Sequence, residues 1–248
     1  MRQLQVAVIV PTLNESGSIQ ACLTQLDTLG ADEVVVVDAG SDDGTAELAR
    51  ATGVGRVLMG PRHRGRQQNL GAAACTADIL VFLHADTYLE PGAIEELRQF
   101  VARHPRVPGG CFRMRVDDPD RRYRLIDAAA HLRAGLVQVP YGDQGLFAVR
   151  WAFERAGGFP DEPFMDDVGL ALRLRRLGRL AVLPATIYVS NRRWRSQGIL
   201  RQSLRNWALT GLYALGVPPQ TLKRAYPAIR EPVPAASHPV SKSLTPGP

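Results

Sequence analysis

Acidic residues follow three apolar stretches in the first part of the chain. Glu15 comes shortly after VAVIV, Asp38 closes VVVVD, and Asp86 follows ILVFLH. Short runs of this kind are typical of strands buried on both faces of a parallel sheet, and such sheets bind ligands at the carboxyl ends of their strands. Carboxylates suit base N–H groups, ribose hydroxyls and a hard divalent cation that holds a diphosphate. The sequence therefore predicts a nucleotide bound through a metal at one sheet edge.

Three arginines, Arg62, Arg64 and Arg66, precede a predicted helix that starts near the same edge. Guanidinium groups match phosphate oxygens, and the free N–H groups of a helix N-terminus add to them. We expect Arg64 to contact the phosphates and Gly65 to allow a close backbone approach. The alternative is a solvated, charged loop.

Strands and helices alternate along the first hundred or so residues, which predicts an α/β fold: a doubly wound, mostly parallel sheet with helices on both faces. Hydrophobic spacing, strand-like runs and stop signals such as Gly30 define the elements. Strands are predicted at 6–10, 34–38, 56–58, 79–84 and 145–149, an extended piece at 109–116, and helices at 17–29, 91–103, 121–135, 166–177 and 198–215.

The composition is that of an ordinary globular protein, since 45% of the 248 residues are hydrophobic and 22% are charged. The three cysteines show no CxxC spacing, so neither a zinc site nor a disulfide framework is predicted. The N-terminal apolar run is short and has no cleavage site, which predicts a first strand rather than a signal peptide and a location in the cytosol.

Positive charge is concentrated late in the chain. Residues 1–191 hold 21 Arg and Lys against 23 Asp and Glu, whereas residues 192–230 hold eight basic and no acidic residues. Such a segment favours an anionic partner, for example a phosphate group or a membrane surface. Nucleic acid is not expected because no nucleic-acid-binding motif accompanies the charge. Residues 227–248 contain six prolines and are expected to be disordered.

The order of the motifs carries a family resemblance. The GxGxxG and GxxxxGK[ST] nucleotide motifs are absent from the sequence. Instead, five segments together resemble the signature series of family 2 glycosyltransferases with the GT-A fold, over roughly residues 5–215. The most similar subgroup comprises the type 2 transferases associated with radical-SAM and selenodomain proteins, which share LHAD and YGDQG segments. The five segments are PTLNE at 11–15, VVVVDAGSDDGT at 34–45, RHRGRQQNLGAA at 62–73, LHAD at 83–86 and FMDDVGL at 164–170.

The resemblance implies a metal-dependent, inverting transfer of a sugar from a nucleotide-diphosphate sugar, by default a UDP-sugar, to a hydroxyl acceptor. It implies that Glu15 and Asp38 contact the ribose and the base, and that Asp86 binds Mn²⁺ or Mg²⁺. The full set of expected site residues is Pro11, Glu15, Asp38, Arg64, Asn69 and Ala85 for the donor, Tyr141, Asp143 and Gln144 for the acceptor, Asp86 and His84 for the metal, and Asp167 and Asp166 for catalysis.

Two positions depart from the family pattern. The metal motif commonly begins with Asp, whereas this sequence has His84, so the metal would rest mainly on Asp86. Imidazole favours Mn²⁺ over Mg²⁺, and the alternative for His84 is a core histidine at a strand end. The base motif is usually Glu-Asp and here is Asp166-Asp167. By alignment Asp167 is the expected base, with a raised pKa for one of the pair, and Asp166 is the expected helix cap or acceptor contact.

We therefore expect one GT-A domain over residues 1–226, with a nucleotide-sugar-binding half at 1–106 and an acceptor half at 107–226 that includes a basic C-terminal helix. The expected partners are the sugar donor, an unidentified acceptor that is anionic or lipid-linked, and a membrane surface on which the cytoplasmic protein lies peripherally. Two other functions stay open. A sugar nucleotidyltransferase would need a glycine-rich loop and a lysine that PTLNES lacks, and a non-catalytic nucleotide-sugar or membrane-binding module would not need the 166–167 acids.

Overall fold

A computed structural model describes residues 2–191, 194 and 198–224. The sequence-predicted tail at 227–248 lies outside the described residues. The strands are β1 (Val6–Thr12), β2 (Glu33–Asp38), β3 (Arg56–Met59), β4 (Ile79–Phe82), β5 (Thr87–Leu89), β6 (Gly109–Val116), β7 (Leu146–Val149) and β8 (Ala181–Val189). The helices are α1 (Ile19–Thr28), α2 (Thr45–Ala51), α3 (Arg64–Ala73), α4 (Ala93–Arg103), α5 (Tyr123–Leu132), α6 (Arg150–Ala156), α7 (Asp166–Arg175), α8 (Ile199–Ala214) and α9 (Pro219–Arg224).

The strands form one mixed sheet in the order β3-β2-β1-β4-β7-β6-β8-β5. The four adjacent strands β3, β2, β1 and β4 all run parallel to one another, and β6 runs parallel to β8. Strand β7 is antiparallel to both β4 and β6, and β5 is antiparallel to β8. The predicted α/β architecture, mostly parallel with helices on both faces, is confirmed.

The central strands are buried on both faces because successive side chains enter two different cores. Val8 and Val36 pack with α1 and α4 on one side, in a core that contains Leu23 and Leu97. Their neighbours in the strands, such as Ile9, pack on the other side with α3, α6 and α7. The four consecutive valines of β2 are explained by this burial on both faces of the sheet.

The antiparallel placement of β7 determines what lies beside the carboxyl end of β4. Phe82, the last residue of β4, is opposite Leu146, the first residue of β7. The chain leaves β4 toward His84 at this edge of the sheet. At the same edge, a 3₁₀ turn at Gly142–Gln144 leads into β7. The Gly142–Gln144 turn is thereby brought next to the end of β4.

Strand β8 is the main element that the sequence analysis misses. Pro184 interrupts its apolar run, and proline inside such a run argues against a strand because it lacks the N–H of the ladder. The structure accommodates Pro184 at an irregularity, since Leu183 pairs with Phe112 and Thr186 with Arg113. Within the described residues, no helix combines the length and apolarity needed to cross a membrane.

Candidate active site

The acids at the ends of β1, β2 and β4 come to one edge of the sheet, as predicted. Thr12 at the end of β1 donates from Oγ1 to Oδ2 of Asp38 at the end of β2, over 3.0 Å. Burial, together with the negative charges of Asp86 and Glu15, raises the pKa of the Cys22 thiol in α1 to about 12. Both carboxylates therefore lie close to the same thiol, beneath the edge where the strands end.

Asp38 is held by the loop that follows β2. Its side chain is fully buried, and both oxygens are occupied within the protein. Oδ1 accepts from the N–H groups of Gly40 (2.9 Å) and Ser41 (2.8 Å), and Oδ2 accepts from the hydroxyls of Ser41 (2.5 Å) and Thr12 (3.0 Å). The geometry favours a carboxylate that shapes the loop after β2. A nucleotide contact by Asp38 stays a prediction.

The other expected donor residues occupy different environments. Glu15 accepts from the Ser18 hydroxyl at 2.8 Å and is half-buried at the end of β1, as is Pro11. The Ala85 side chain is buried in the core, so only its backbone could reach a donor. The Asn69 amide donates to the Phe159 carbonyl and accepts from the Phe159 N–H, both at 2.9 Å, and so joins α3 to the loop before α7. A donor contact by Asn69 stays a prediction.

Arg64 stands between the N-termini of α3 and α7. Its guanidinium donates to both oxygens of Asp166, Nε to Oδ2 at 3.0 Å and Nη2 to Oδ1 at 2.5 Å, and Nη2 lies 3.5 Å from Asp167 Oδ1. The Gly65 prediction is corrected. A Cβ at this position would lie 3.1 Å from the Pro160 carbonyl oxygen and 3.3 Å from Asp166 Cβ, so α3 closely approaches the loop before α7 and the first residue of α7.

Arg62 and Arg66 are also held by the protein. Arg62 donates to the carbonyls of Ala39 and Gly40, and Arg66 pairs with Asp161 at 2.6 Å. Of the three arginines, Arg64 is thus the one that touches the predicted catalytic carboxylates.

Asp166 is not the helix cap that the sequence suggested. It is the first residue of α7, after Met165 in a left-handed conformation, and no side chain caps the helix. Its carboxylate is buried and accepts from Arg64 and from Gln68 Nε2 at 3.2 Å. Asp166 is therefore fully engaged in joining α3 to α7.

Asp167 faces the entrance to β7. Its Oδ2 accepts from the Gly142 N–H at 2.7 Å, and its Oδ1 accepts from the Val168 N–H at 2.8 Å. Burial by itself would raise the pKa of Asp167, but Arg64, the two N–H groups and His84 more than offset it and hold that pKa below the usual range. The expected upward shift is wrong for Asp167, because these neighbours favour the charged form.

His84 and Asp167 approach the same point next to Gly142. A Cβ on Gly142 would lie 3.1 Å from Asp167 Oδ2 and 3.2 Å from His84 Nε2. Within the part of the chain that the structure describes, no group of three or more His, Cys, Asp or Glu side chains is arranged to hold a metal. His84 and Asp86 supply one imidazole and one carboxylate. Mg²⁺ and Mn²⁺ sites of this type are completed by substrate phosphates and water, so the pair fits an ion that binds together with a diphosphate.

The YGDQG segment divides into a buried and an accessible part. Gln144 is fully buried, where Oε1 accepts from Arg133 Nη2 at 2.5 Å and from the Tyr141 N–H at 3.1 Å. These contacts support a structural role for Gln144, and its acceptor contact stays a prediction. The Tyr141 ring covers the Arg133 guanidinium at 3.3 Å, and its hydroxyl lies 2.5 Å from Thr210 Oγ1 of α8.

Asp143 lines a cavity of about 40 Å³ between α5 and α8. Asp143 Oδ1 and Trp194 Nε1 both border this cavity, and neither buried atom has a hydrogen-bond partner among residues 2–191, 194 and 198–224. An unpaired acceptor and an unpaired donor suit water or a hydroxyl group. The remaining lining residues are Met114, Ile126, Ala129, Ala130, Arg133, Tyr141, Ser203, Asn206 and Trp207.

Arg133 and Trp194 are site residues that the sequence analysis missed. Arg133 is the single charged residue in the otherwise apolar run LRAGLV, and this isolated charge could have marked it as a functional residue. No motif or spacing points to Trp194, whose ring packs edge-on against Tyr123 of α5 with the ring centroids 6.4 Å apart.

Similar proteins include two curated relatives and a solved structure. A "PGL/p-HBAD biosynthesis glycosyltransferase" of Mycobacterium bovis is 34% identical over 109 residues, 40% of this chain and 42% of that protein. An undecaprenyl-phosphate 4-deoxy-4-formamido-L-arabinose transferase of Aeromonas hydrophila is 31% identical over 151 residues, 55% of this chain and 46% of that protein. The chain thus spans less than half the length of the curated relatives it matches.

The structure of a mannosyltransferase from Pyrobaculum calidifontis, in complex with GDP-Man and Mn²⁺, superposes with a TM-score of 0.62 at 21% identity, over 94% of this chain and 67% of that one. This similarity confirms the GT-A fold. The profile described as "Glycosyl transferase family 2" matches residues 7–157, which is more than half of the chain. With the motifs and the strand-end site on which they meet, this match shows that the chain belongs to glycosyl transferase family 2.

Proposed function

We propose that the protein is a metal-dependent, inverting glycosyltransferase that moves a sugar from a nucleotide-diphosphate sugar, a UDP-sugar by default, to an acceptor hydroxyl. The observation that carries this proposal is the position of the Asp167 carboxylate. It is held between Arg64 and the Gly142 N–H at the edge where the donor-side strands end. A carboxylate in that position suits a general base, which takes a proton as the acceptor oxygen attacks.

The residues of this chain have distinct parts in the proposed reaction. Asp167 accepts the proton of the attacking hydroxyl, and no covalent intermediate with the protein is needed. Arg64 keeps Asp167 charged and stands where a donor phosphate could share its guanidinium. Asp86 and His84 would hold the cation, which when bound offsets negative charge on the leaving diphosphate.

For the acceptor, we infer a lipid-linked compound. The cavity beside Tyr141 and Asp143 is bordered largely by apolar side chains of α5 and α8, including Ile126 and Trp207. The Aeromonas relative is named for transfer to undecaprenyl phosphate, which supports the same acceptor class.

Three further expectations remain proposals on the resemblance. These are the radical-SAM and selenodomain-associated subgroup, the single domain over residues 1–226, and a location on the cytoplasmic side of a membrane. The closeness of the two halves around Gly142, described above, supports one catalytic domain.

The test is release of nucleotide from a panel of UDP-, GDP- and dTDP-sugars with Mn²⁺, with Mg²⁺ and with a chelator. The expected result is metal-dependent release of a nucleoside diphosphate that increases with a polyprenyl-phosphate acceptor and is lost in Asp167→Asn. The matched control is Asp161→Asn, which removes an exposed carboxylate that pairs with Arg66.

Two outcomes would overturn the proposal. Release of pyrophosphate from a nucleoside triphosphate and a sugar phosphate would identify a nucleotidyltransferase. Thermal stabilisation by a nucleotide-sugar without turnover, equal in the wild type and in Asp167→Asn, would identify a non-catalytic binding module.

A further inference from the structure

Helix α8 carries a continuous apolar surface on its outer side. Leu204, Trp207, Leu212 and Leu215 are all exposed, Leu204 at 65% and Leu215 at 83% of their surface. Residues 206–222 contain no charged residue. A water-exposed helix face normally carries charged side chains, so this face is unusual for a surface in contact with water alone.

A second apolar set lies on α5, which borders the other side of the same cavity. Leu125 and Leu132 are two turns apart on α5 and are exposed, Leu125 at 76%, and Leu136 follows in a π-helical turn at Arg133–Val137. Trp207 both lines the cavity and is half exposed, so the cavity reaches the surface beside the apolar face of α8.

In the sequence segment that contains α8 and α9, every charged side chain is basic. One acid contacts α8 from the loop before α7, since Glu162 accepts from the Tyr213 hydroxyl at 2.6 Å. Residues 192–224 include seven Arg and Lys and no Asp or Glu, and Lys223 and Arg224 end α9 directly after α8. A second copy of this chain joined through a two-fold axis would place equal positive charges opposite each other. An anionic bilayer would instead neutralise them while its acyl region covers the leucines and the tryptophan.

From this combination we infer that the outer face of α8, with its Leu204–Leu215 apolar surface and basic flanks, docks on an anionic lipid bilayer. Trp207 enters the interface, and the cavity between α5 and α8 opens toward the lipid. The helix lies in the interface and does not cross it. Docking requires neither the sugar donor nor the metal, so its test is independent of transferase activity.

The experiment is co-sedimentation of the full chain with vesicles. The protein pellets with vesicles of phosphatidylcholine and phosphatidylglycerol, and it stays in solution with vesicles of phosphatidylcholine alone. Raising the salt to about 0.5 M releases it, because screening removes the electrostatic part of binding. Lys223→Gln weakens binding about fivefold, the value expected for one basic residue near an anionic surface.

The apolar contact is tested by the double variant Leu204→Glu/Leu215→Glu, which weakens binding about tenfold or more. The matched control is Met59→Glu on β3, also an exposed apolar residue, which binds as the wild type does. Circular dichroism and the melting temperature of both variants show whether they are folded. Brominated acyl chains quench tryptophan fluorescence in the wild type and in Trp151→Phe, but not in Trp207→Phe.

Three results would overturn the inference. The full chain stays in solution with the anionic vesicles, or the double variant pellets as well as the wild type. The third contrary result would come from sedimentation velocity without lipid, if the wild type is a dimer and the double variant is a monomer. In that case a second copy of the chain covers the face.

Discussion

Arg64 and Asp166, which are 102 residues apart in sequence, form a two-pronged ion pair between the N-termini of α3 and α7. The pair fixes the position of the neighbouring Asp167, whose Oδ1 is 3.5 Å from the same guanidinium. One arginine therefore links α3 to the two carboxylates at the start of α7. This link gives the two adjacent acids different tasks.

The difference between the acids predicts two different variant phenotypes. Asp167→Asn should lower turnover ~10²-fold or more, because a general base is lost, while affinity for the donor stays close to that of the wild type. Asp166→Asn should mainly lower the melting temperature, because the buried Arg64 contact loses its charge. Turnover is followed by nucleotide release and affinity by calorimetry. Full activity in Asp167→Asn with none in a folded Asp166→Asn would reverse the assignment.

The lowered pKa of Asp167 predicts the pH dependence of turnover. The charged form is the base, so activity falls only as the pH drops through a pKa held below the ordinary aspartate value of about 3.9. In Arg64→Met the largest lowering influence is removed while burial remains, so the pKa rises and the acidic limb of kcat moves to higher pH. Arg66→Met removes an exposed pair with Asp161 and is the control. Superimposable kcat profiles for wild type and Arg64→Met would contradict this account.

Gly142 is predicted to be sensitive to a single methyl group. A Cβ at this position would lie 3.1 Å from Asp167 Oδ2 and 3.2 Å from His84 Nε2, so either side chain must shift by a few tenths of an ångström. Gly142→Ala should lower kcat about tenfold, since small displacements of a catalytic group are costly. Gly135→Ala has no heavy atom within 4 Å of the added methyl and is the matched control. Equal kcat values for both variants would show that Asp167 tolerates the displacement.

The parts of the fold that follow from local patterns could be predicted. The double burial of β2 appears as its valine run, and parallel strands bring their carboxyl ends, with Glu15 and Asp86, to one edge. Arg64 could be singled out as a site residue because a basic residue at a helix N-terminus has a recognisable chemistry. Asp166 is also an expected site residue, but its pairing with Arg64 could not be predicted, because an ion pair over 102 residues depends on how α7 packs against α3.

The parts that depend on packing direction could not be predicted. YGDQG supplies polar residues, but the 3₁₀ turn sends Gln144 into the core and leaves Asp143 at the cavity. The direction of the Asp167 pKa shift likewise depends on the distance to Arg64, which no local spacing encodes. Pro184 concealed β8 because the irregularity that accommodates it involves β6, a partner distant in sequence.

A variant of Gln144 can distinguish the predicted acceptor contact from the structural role that its hydrogen bonds support. Its Oε1 is the acceptor for the buried Arg133 guanidinium, so Gln144→Leu should lower the free energy of unfolding by about 1.5–3 kcal/mol, the range for a hydrogen bond to a charged group. Urea denaturation measures this loss, and Gln99→Leu, which removes an exposed glutamine of α4, should change stability far less. An unchanged unfolding midpoint together with a raised KM for the acceptor would instead support direct contact. Because the side chain is fully buried beside Cys111, we expect the loss of stability.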